Sequence, residues 1–489
     1  MAFLDPPAPL KLRRTKIIAT IGPATRSPDI IEKMMLAGVN VFRLNMSHGT
    51  QNDHLSAYQA IRAGADKHHL PIGILADLCG PKIRVGELKD GQIELRDGEE
   101  VTVTTRDVVG YDGLIPSHYR HLAEDVQAGD RILLDDGLLE LRVLSAEQAD
   151  VRCEVVHGGV LKSRKGMNLP CVAVSAPALT NKDREDAAFA LDLGVDFLAL
   201  SFVRRAGDVQ ELRELVATRH ADVGIIAKIE KPEALEEIDA IIQVADGIMV
   251  ARGDLGVELD AEQVPLVQDR LLELAQVHNK PCIVATQMLE SMIQNPRPTR
   301  AEVADVAHAV RTAADAVMLS GETAVGRFPL DAVRMMDRIA RRSEAYLWEH
   351  GLFANTIKSR GDGRLPLADS VARATSLLSR DLRVRAIVVV CHSGLSVAIV
   401  SSARPAAPII ALSDSGKTCT RMTLLWGVLP DRVEDVEISP AVAVDLPAVA
   451  RQLARKYELG DAGEHILLVE GYHPEPERNV PSISVVELL

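Results

Sequence analysis

The chain has 489 residues, with charged residues at 25% and the apolar set at 47%, which excludes a disordered protein and leaves room for about three domains. Its net charge of −14 argues against nonspecific nucleic-acid binding, which needs a basic surface. Six cysteines, at 79, 153, 171, 282, 391 and 419, show no CxxC spacing, so the thiols read as reduced and the chain as cytoplasmic. The opening MAFLDPPAPLKLRR lacks a secretory apolar run, and no stretch approaches the roughly 18 apolar residues of a membrane helix.

In chain order, the apolar runs are KIIATIG, VNVFRLN, IGILADL, FLALSFV, GIIAKIE, GIMVARG, PCIVATQ and AVMLSGE, beginning near 16, 39, 72, 197, 224, 247, 281 and 316. Each stays apolar until a polar residue at its carboxyl end, as strands buried on both faces do. Helical segments lie between them. Ser27-Pro28 starts one and Gly38 stops it, while Thr180 with Asp183 and Thr299 with Glu302 have capping-box spacing. Eight strand–helix units predict a (β/α)8, or TIM, barrel over residues 1–79 and 177–352.

Residues 80–176 have a different texture. EVTVTT, LLELRV and VRCEVV alternate apolar and polar, with turn signals at Asp90-Gly91, Asp136-Gly137 and Gly158-Gly159, which predicts an inserted antiparallel β domain. At the carboxyl end of a barrel strand such an insertion lies over the active site, as a lid. Its hinges are expected near Gly80-Pro81 and from Pro170 to Pro177. SRGDGRLP reads as a linker into residues 353–489, where RAIVVVC, PIIAL, GVLP and HILLVEG alternate with helical stretches, as in an open-sheet α/β domain.

Polar residues at the carboxyl ends of barrel strands face the active site. Here they are Thr20; Arg43, Asn45 and Ser47; Asp77; Ser201; Lys228 and Glu230; Arg252 and Asp254; Thr286; and Ser320 and Glu322. Alternation places Lys228 and Glu230 on the inward side of one strand. Glu230 and Asp254 form an oxygen pair suited to a hard divalent ion such as magnesium. The glycines of ARGDLG (251–256) admit close backbone approach, and a helical turn starting there would offer amides to an anion. Neither a P-loop nor a GxGxxG after the first strand is present.

ATIGPAT at 19–25, FRLNMSHG at 42–49, GPKIR at 80–84, KGMNLP at 165–170, AKIEKPE at 227–233, MVARGDLG at 249–256, ATQMLESM at 285–292 and PTRAEVADVA at 298–307 together resemble the pyruvate kinase family. The resemblance implies transfer of a phosphoryl group from phosphoenolpyruvate to ADP, giving pyruvate and ATP in the last step of glycolysis. It implies Glu230 and Asp254 as ligands of Mg²⁺ or Mn²⁺, and Lys228 as the cation stabilising the phosphoryl group in flight. Arg43 would hold the same phosphate, with Arg84 and Lys165 nearer the nucleotide. Gly253, Asp254 and Thr286 would bind the substrate carboxylate, and Thr286 would relay a proton to the enolate. A homotetramer is implied. Barrel aldolases or lyases acting on a pyruvate enolate, and a non-catalytic sugar-phosphate sensor, remain the competing classes.

Two departures from the family pattern set further expectations. The effector-type loop reads CHSGLSVA (391–398), keeping Ser393, Gly394 and Ser396 but placing Cys391 and Leu395 where a hydroxyl and a basic residue are common. Weak or no activation by fructose 1,6-bisphosphate is expected. Asn45, Ser47, Asp77 and Leu78 (through its carbonyl) match the positions that hold K⁺ in potassium-requiring relatives. The motif that follows reads DLCGPKIR rather than DTKGPEIR, so the Lys82 ammonium is expected to replace the monovalent cation.

Overall fold

A computed structural model describes residues 10–170, 172, 174–353, 365–433, 445–473 and 475–489. Residues 359–364 of the expected linker, with 171 and 173 of the expected second hinge, lie outside the described residues. Eight parallel strands close a barrel: β1 (Lys16–Thr20), β2 (Val41–Asn45), β3 (Gly73–Asp77), β4 (Phe197–Leu200), β5 (Gly224–Ile229), β6 (Gly247–Ala251), β7 (Cys282–Ala285) and β8 (Ala316–Leu319). Ile18, Val41, Leu75, Ile226, Met249, Ile283 and Met318 fill the interior. Their neighbours, such as Ile17, Phe42, Ile74 and Ile225, pack outward in the core shared with the helices. The predicted helix starts hold: Ser27 accepts from the Ile30 amide, and Thr180 and Thr299 close capping boxes with Asp183 and Glu302.

The amino-terminal face of the barrel carries a repeated device. Asn40, Asp196, Asp246 and Asp315 immediately precede β2, β4, β6 and β8. Their side chains accept the backbone N–H of Ile17 (3.1 Å), Ile74 (2.8 Å), Ile225 (2.8 Å) and Cys282 (3.0 Å) on the adjacent strand. Arg13, Arg62, Arg213 and Arg404 in turn donate to these four acceptors. Each acceptor thus satisfies a strand-start N–H that would otherwise be left bare.

The carboxyl-terminal domain docks on this face. Lys417 and Thr420 reach Asp196 at 3.1 and 2.6 Å, Arg404 reaches Asp315 at 2.8 Å, and Leu424 packs into the barrel's inner cluster. Four parallel strands, ordered Val428–Arg432, Ile409–Ser413, Ile387–Val390 and His465–Glu470, form its sheet, with Ser482–Glu487 antiparallel at the edge. One end of the barrel is therefore occupied by the docked domain, and the chemistry belongs at the other.

The insertion between β3 and β4 has its own core, from Val85 to Val174. A two-stranded sheet pairs Gln92–Leu95 with Gly159–Lys162, and a six-stranded sheet holds the rest. The domain is not purely antiparallel. Glu100–Thr104 and Leu114–Pro116 pair in parallel, because the connection is drawn aside by bonds of Gly110 with Glu87 and Lys89 and so returns in the same direction.

Candidate active site

Parity along each strand delivers the site. Above the interior layer of Ile18, Val41, Leu75, Ala199 and Ile226 come Thr20, Arg43, Asp77, Ser201 and Lys228, two residues further along their strands. Asp77 is the centre of this group. Its Oδ2 accepts from Arg43 Nε at 2.7 Å and forms an ion pair with Nη2 at the same distance, while Oδ1 faces Lys228 Nζ at 3.3 Å without hydrogen-bond geometry. Lys228 Nζ also lies 2.9 Å from Glu230 Oε1 and donates to Ser201 Oγ at 2.6 Å. Ser201 passes the chain on to the Leu78 carbonyl at 2.7 Å, and Arg43 Nη1 reaches Thr20 Oγ1 at 3.2 Å.

The charges reinforce one another. Burial works against the Lys228 ammonium, but Asp77 and Glu230 outweigh it and hold its pKa above the ordinary lysine value. Asp77 is likewise penalised by burial, yet Lys228 and Arg43 keep it below the usual carboxylate range. Glu230 goes the other way. Burial raises it, Lys228 lowers it, and the like charge of Asp254 pushes it up again. A carboxylate pushed up by burial and by a neighbouring acid at a barrel lip is what a further cation relieves. Among the described residues no group of three or more His, Cys, Asp and Glu side chains converges for a metal, and the two carboxylates fit an ion that takes only one or two from protein.

β6 runs into a short helix, Arg252–Glu258, so the turn considered for ARGDLG is present. The Gly253 amide donates to Thr286 Oγ1 at 2.7 Å, and that hydroxyl donates to the Ala285 carbonyl at 2.6 Å. The amide and the hydroxyl are thus engaged with each other. Thr286 sits at φ 69° and Gln287 at φ 54°, a costly backbone for a β-branched residue. Arg252 holds that bend, reaching the Thr286 carbonyl at 2.7 Å and Asp305 at 2.6 Å.

The remaining predicted residues flank this cluster. Arg84 and Lys165 lie on paired segments of the insertion, Arg84 bridging to Gly166, and Lys165 pairs with Asp135 at 2.7 Å. The Ser47 amide donates to Asn45 Oδ1 at 3.2 Å. Lys82 is exposed and lines a cleft between lid and barrel together with Asp254, Lys231, Phe202 and Asn168. The charge of Lys82 reaches the loop after β2: burial first, then Arg84, Lys82 and Arg43, lower the pKa of His48.

Sequence reasoning missed two features. The Phe202 amide holds Glu230 Oε2 at 2.7 Å from a residue at φ 54°, which nothing in FLALSFV signals. Lys231 and Glu258 form a buried pair at 2.6 Å. The second lysine of KIEKPE and the acid ending ARGDLGVE were its visible trace.

Two cations converge on one buried carboxylate at the open end of a closed parallel barrel, the end where barrel enzymes place their active sites. Residues 12–333 match the family described as "Pyruvate kinase, barrel domain", and residues 369–486 match "Pyruvate kinase, alpha/beta domain". A pyruvate kinase of Agrobacterium vitis is 41% identical over 479 residues, covering 97% of each chain. One from Geobacillus stearothermophilus is 43% identical over 439 residues, covering 88% of this chain and 74% of that one. A crystal structure of a pyruvate kinase from Cryptosporidium parvum superposes with a TM-score of 0.88 at 34% identity, covering 98% and 96% of the two chains. The chain belongs to the pyruvate kinase family. No helix among the described residues is long and apolar enough to cross a membrane.

Proposed function

We propose that this chain transfers the phosphoryl group of phosphoenolpyruvate to ADP, giving pyruvate and ATP. One observation carries the reading: Arg43 and Lys228 are held side by side on Asp77, beside the acid pair Glu230 and Asp254. Phosphoryl transfer needs fixed positive charge more than a nucleophilic side chain, because its transition state is loose and anionic. Arg43 and Lys228 grip the phosphate, and Lys228 follows its charge as the enol P–O bond breaks and the bond to the ADP oxygen forms. Glu230 and Asp254 would hold Mg²⁺ or Mn²⁺, which when bound supplies further charge neutralisation for the anionic substrates. Arg84 and Lys165 bring positive charge from the lid to the nucleotide.

The substrate carboxylate is received at the Gly253–Asp254 turn, where it displaces the Thr286 hydroxyl from the Gly253 amide. Freed in this way, Thr286 relays a proton from water to the enolate carbon. Its hydroxyl is too weak an acid to be the source and acts as a relay. Lys82 supplies the charge that K⁺ gives in other members, so potassium is not required. Family resemblance supports a cytoplasmic homotetramer. The exposed Leu395 in the effector-type loop offers no charge to a sugar phosphate, which supports weak or no activation by fructose 1,6-bisphosphate.

A lactate dehydrogenase-coupled assay with phosphoenolpyruvate, ADP and Mg²⁺ tests the activity. Pyruvate formation that depends on ADP is the expected result. Pyruvate formed without ADP would mean that the phosphate ester is hydrolysed rather than transferred, and no pyruvate would favour a lyase or a sensor.

A further inference from the structure

We propose that Glu258 is a positioning residue which, through Lys231, sets the register between the two strand ends that carry Glu230 and Asp254. This rests on reading those two carboxylates as the divalent-ion ligands. Lys231 is the residue after Glu230, two past the end of β5 and at the N-cap of the helix Pro232–Glu236. Glu258 closes the short helix Arg252–Glu258, whose first turn contains Asp254. Lys231 Nζ meets Glu258 Oε1 at 2.6 Å, with side-chain exposures of 10% and 1%. The bond therefore fastens the far end of one ligand's helix to the residue beside the other ligand. Asn168 of the insertion donates to the same Oε1 at 3.3 Å.

The pair is a poor device for stability. Burial raises the Glu258 carboxyl, with Lys231 pulling it back, and its Oε2 is buried without a hydrogen-bond partner. Two apolar side chains of similar volume would hold the fold at least as well. What they would not supply is a directional, charge-assisted bond that admits one relative placement of the two segments. A metal pair needs that placement, because ligand groups a fraction of an ångström out of register lose affinity.

The test is a Mn²⁺ titration of the substrate-free full chain, with free ion followed by electron paramagnetic resonance and thermal unfolding measured in parallel. Glu258→Gln keeps the shape and removes the charge, and is expected to weaken Mn²⁺ binding about tenfold. The double variant Lys231→Met/Glu258→Leu is expected to unfold at or above the wild-type temperature and still to bind Mn²⁺ about tenfold more weakly. A purely structural pair would leave the affinity of that stable double variant unchanged, and such a result overturns the proposal. Glu230→Gln is the control for the reading beneath it. If Glu230→Gln binds Mn²⁺ like wild type, the ligand assignment itself is wrong and the inference falls with it. Loss of affinity in Glu230→Gln with wild-type affinity in the double variant rejects the positioning role alone.

Discussion

The amide of Gly80 donates to the carboxylate of Asp183 at 3.0 Å, across 103 residues of chain. One buried acid thereby joins the two crossings into and out of the inserted domain. Its other oxygen caps the helix that follows, accepting from the Thr180 amide at 3.0 Å and hydroxyl at 2.5 Å. Gly80 has no room for a side chain: at φ 69°, a Cβ would lie 2.7 Å from the Phe202 ring and 2.9 Å from Ser201 Cβ. The inserted domain is thus anchored against Ser201, which holds Lys228, and Phe202, which holds Glu230.

Asp183→Ala removes the N3 side-chain half of a capping box and leaves the Gly80 amide unpaired, so a loss of about 1–3 kcal/mol is expected. Asp183→Asn keeps only one of the two acceptors and turns its NH2 toward the other donor, so it should recover only part of that loss. Urea unfolding of the two variants checks this, with equal losses contradicting it.

Ser201 accepts from Lys228 and donates to the Leu78 carbonyl, so it fixes where the ammonium stands. Ser201→Ala should lower kcat about tenfold through misplacement of the cation, with the KM for phosphoenolpyruvate changed less than threefold. Steady-state kinetics decides it, and an effect confined to KM would show that Ser201 serves binding alone.

Lys82 stands on the wall of the cleft that also contains Asp254. Activity in sodium or Tris buffer with Mg²⁺ should match that in potassium, and Lys82→Glu should introduce a potassium requirement. A wild-type enzyme needing tens of millimolar K⁺, roughly the range in which a weak cation site fills, would contradict the replacement of the ion by lysine.

At the opposite end of the barrel, Lys16 Nζ donates to the Val428 carbonyl of the docked domain at 2.5 Å. Burial, reinforced by Arg13, lowers its pKa from 10.5 to about 7. Between these values the unfolded chain binds a proton that the folded chain does not, so this group adds stability as pH rises from 7 to 10.5. Lys16→Met lacks the term. Its stability relative to wild type should therefore be highest near pH 7 and decline toward pH 10.5, as read from chemical unfolding at a series of pH values. A constant or rising difference would mean that Lys16 is charged in the fold.

Much of this architecture was legible because burial on both faces leaves an unmistakable pattern. Runs such as KIIATIG and GIMVARG end in polar residues exactly where the barrel lip begins, and parity along β5 put Lys228 and Glu230 on the same side. The partners were not legible. That Asp77 serves both Arg43 and Lys228 depends on which strands are neighbours, and the closing of β1 against β8 is a long-range choice that no local window contains. The parallel pair in the insertion escaped for a related reason, since alternation reveals a strand but not its direction. Thr286 and Gly253 were found as residues, while their mutual hydrogen bond was hidden in a backbone conformation that sequence does not announce.

The most direct test pairs the coupled assay on Lys228→Met with calorimetric titration of phosphoenolpyruvate into the same variant. In the proposed role Lys228 acts chiefly when the phosphoryl group is in flight, which predicts turnover below about a hundredth of wild type with phosphoenolpyruvate still bound through Arg43. A variant that keeps more than about a tenth of wild-type turnover would contradict the assignment of Lys228 as the cation that carries the transfer.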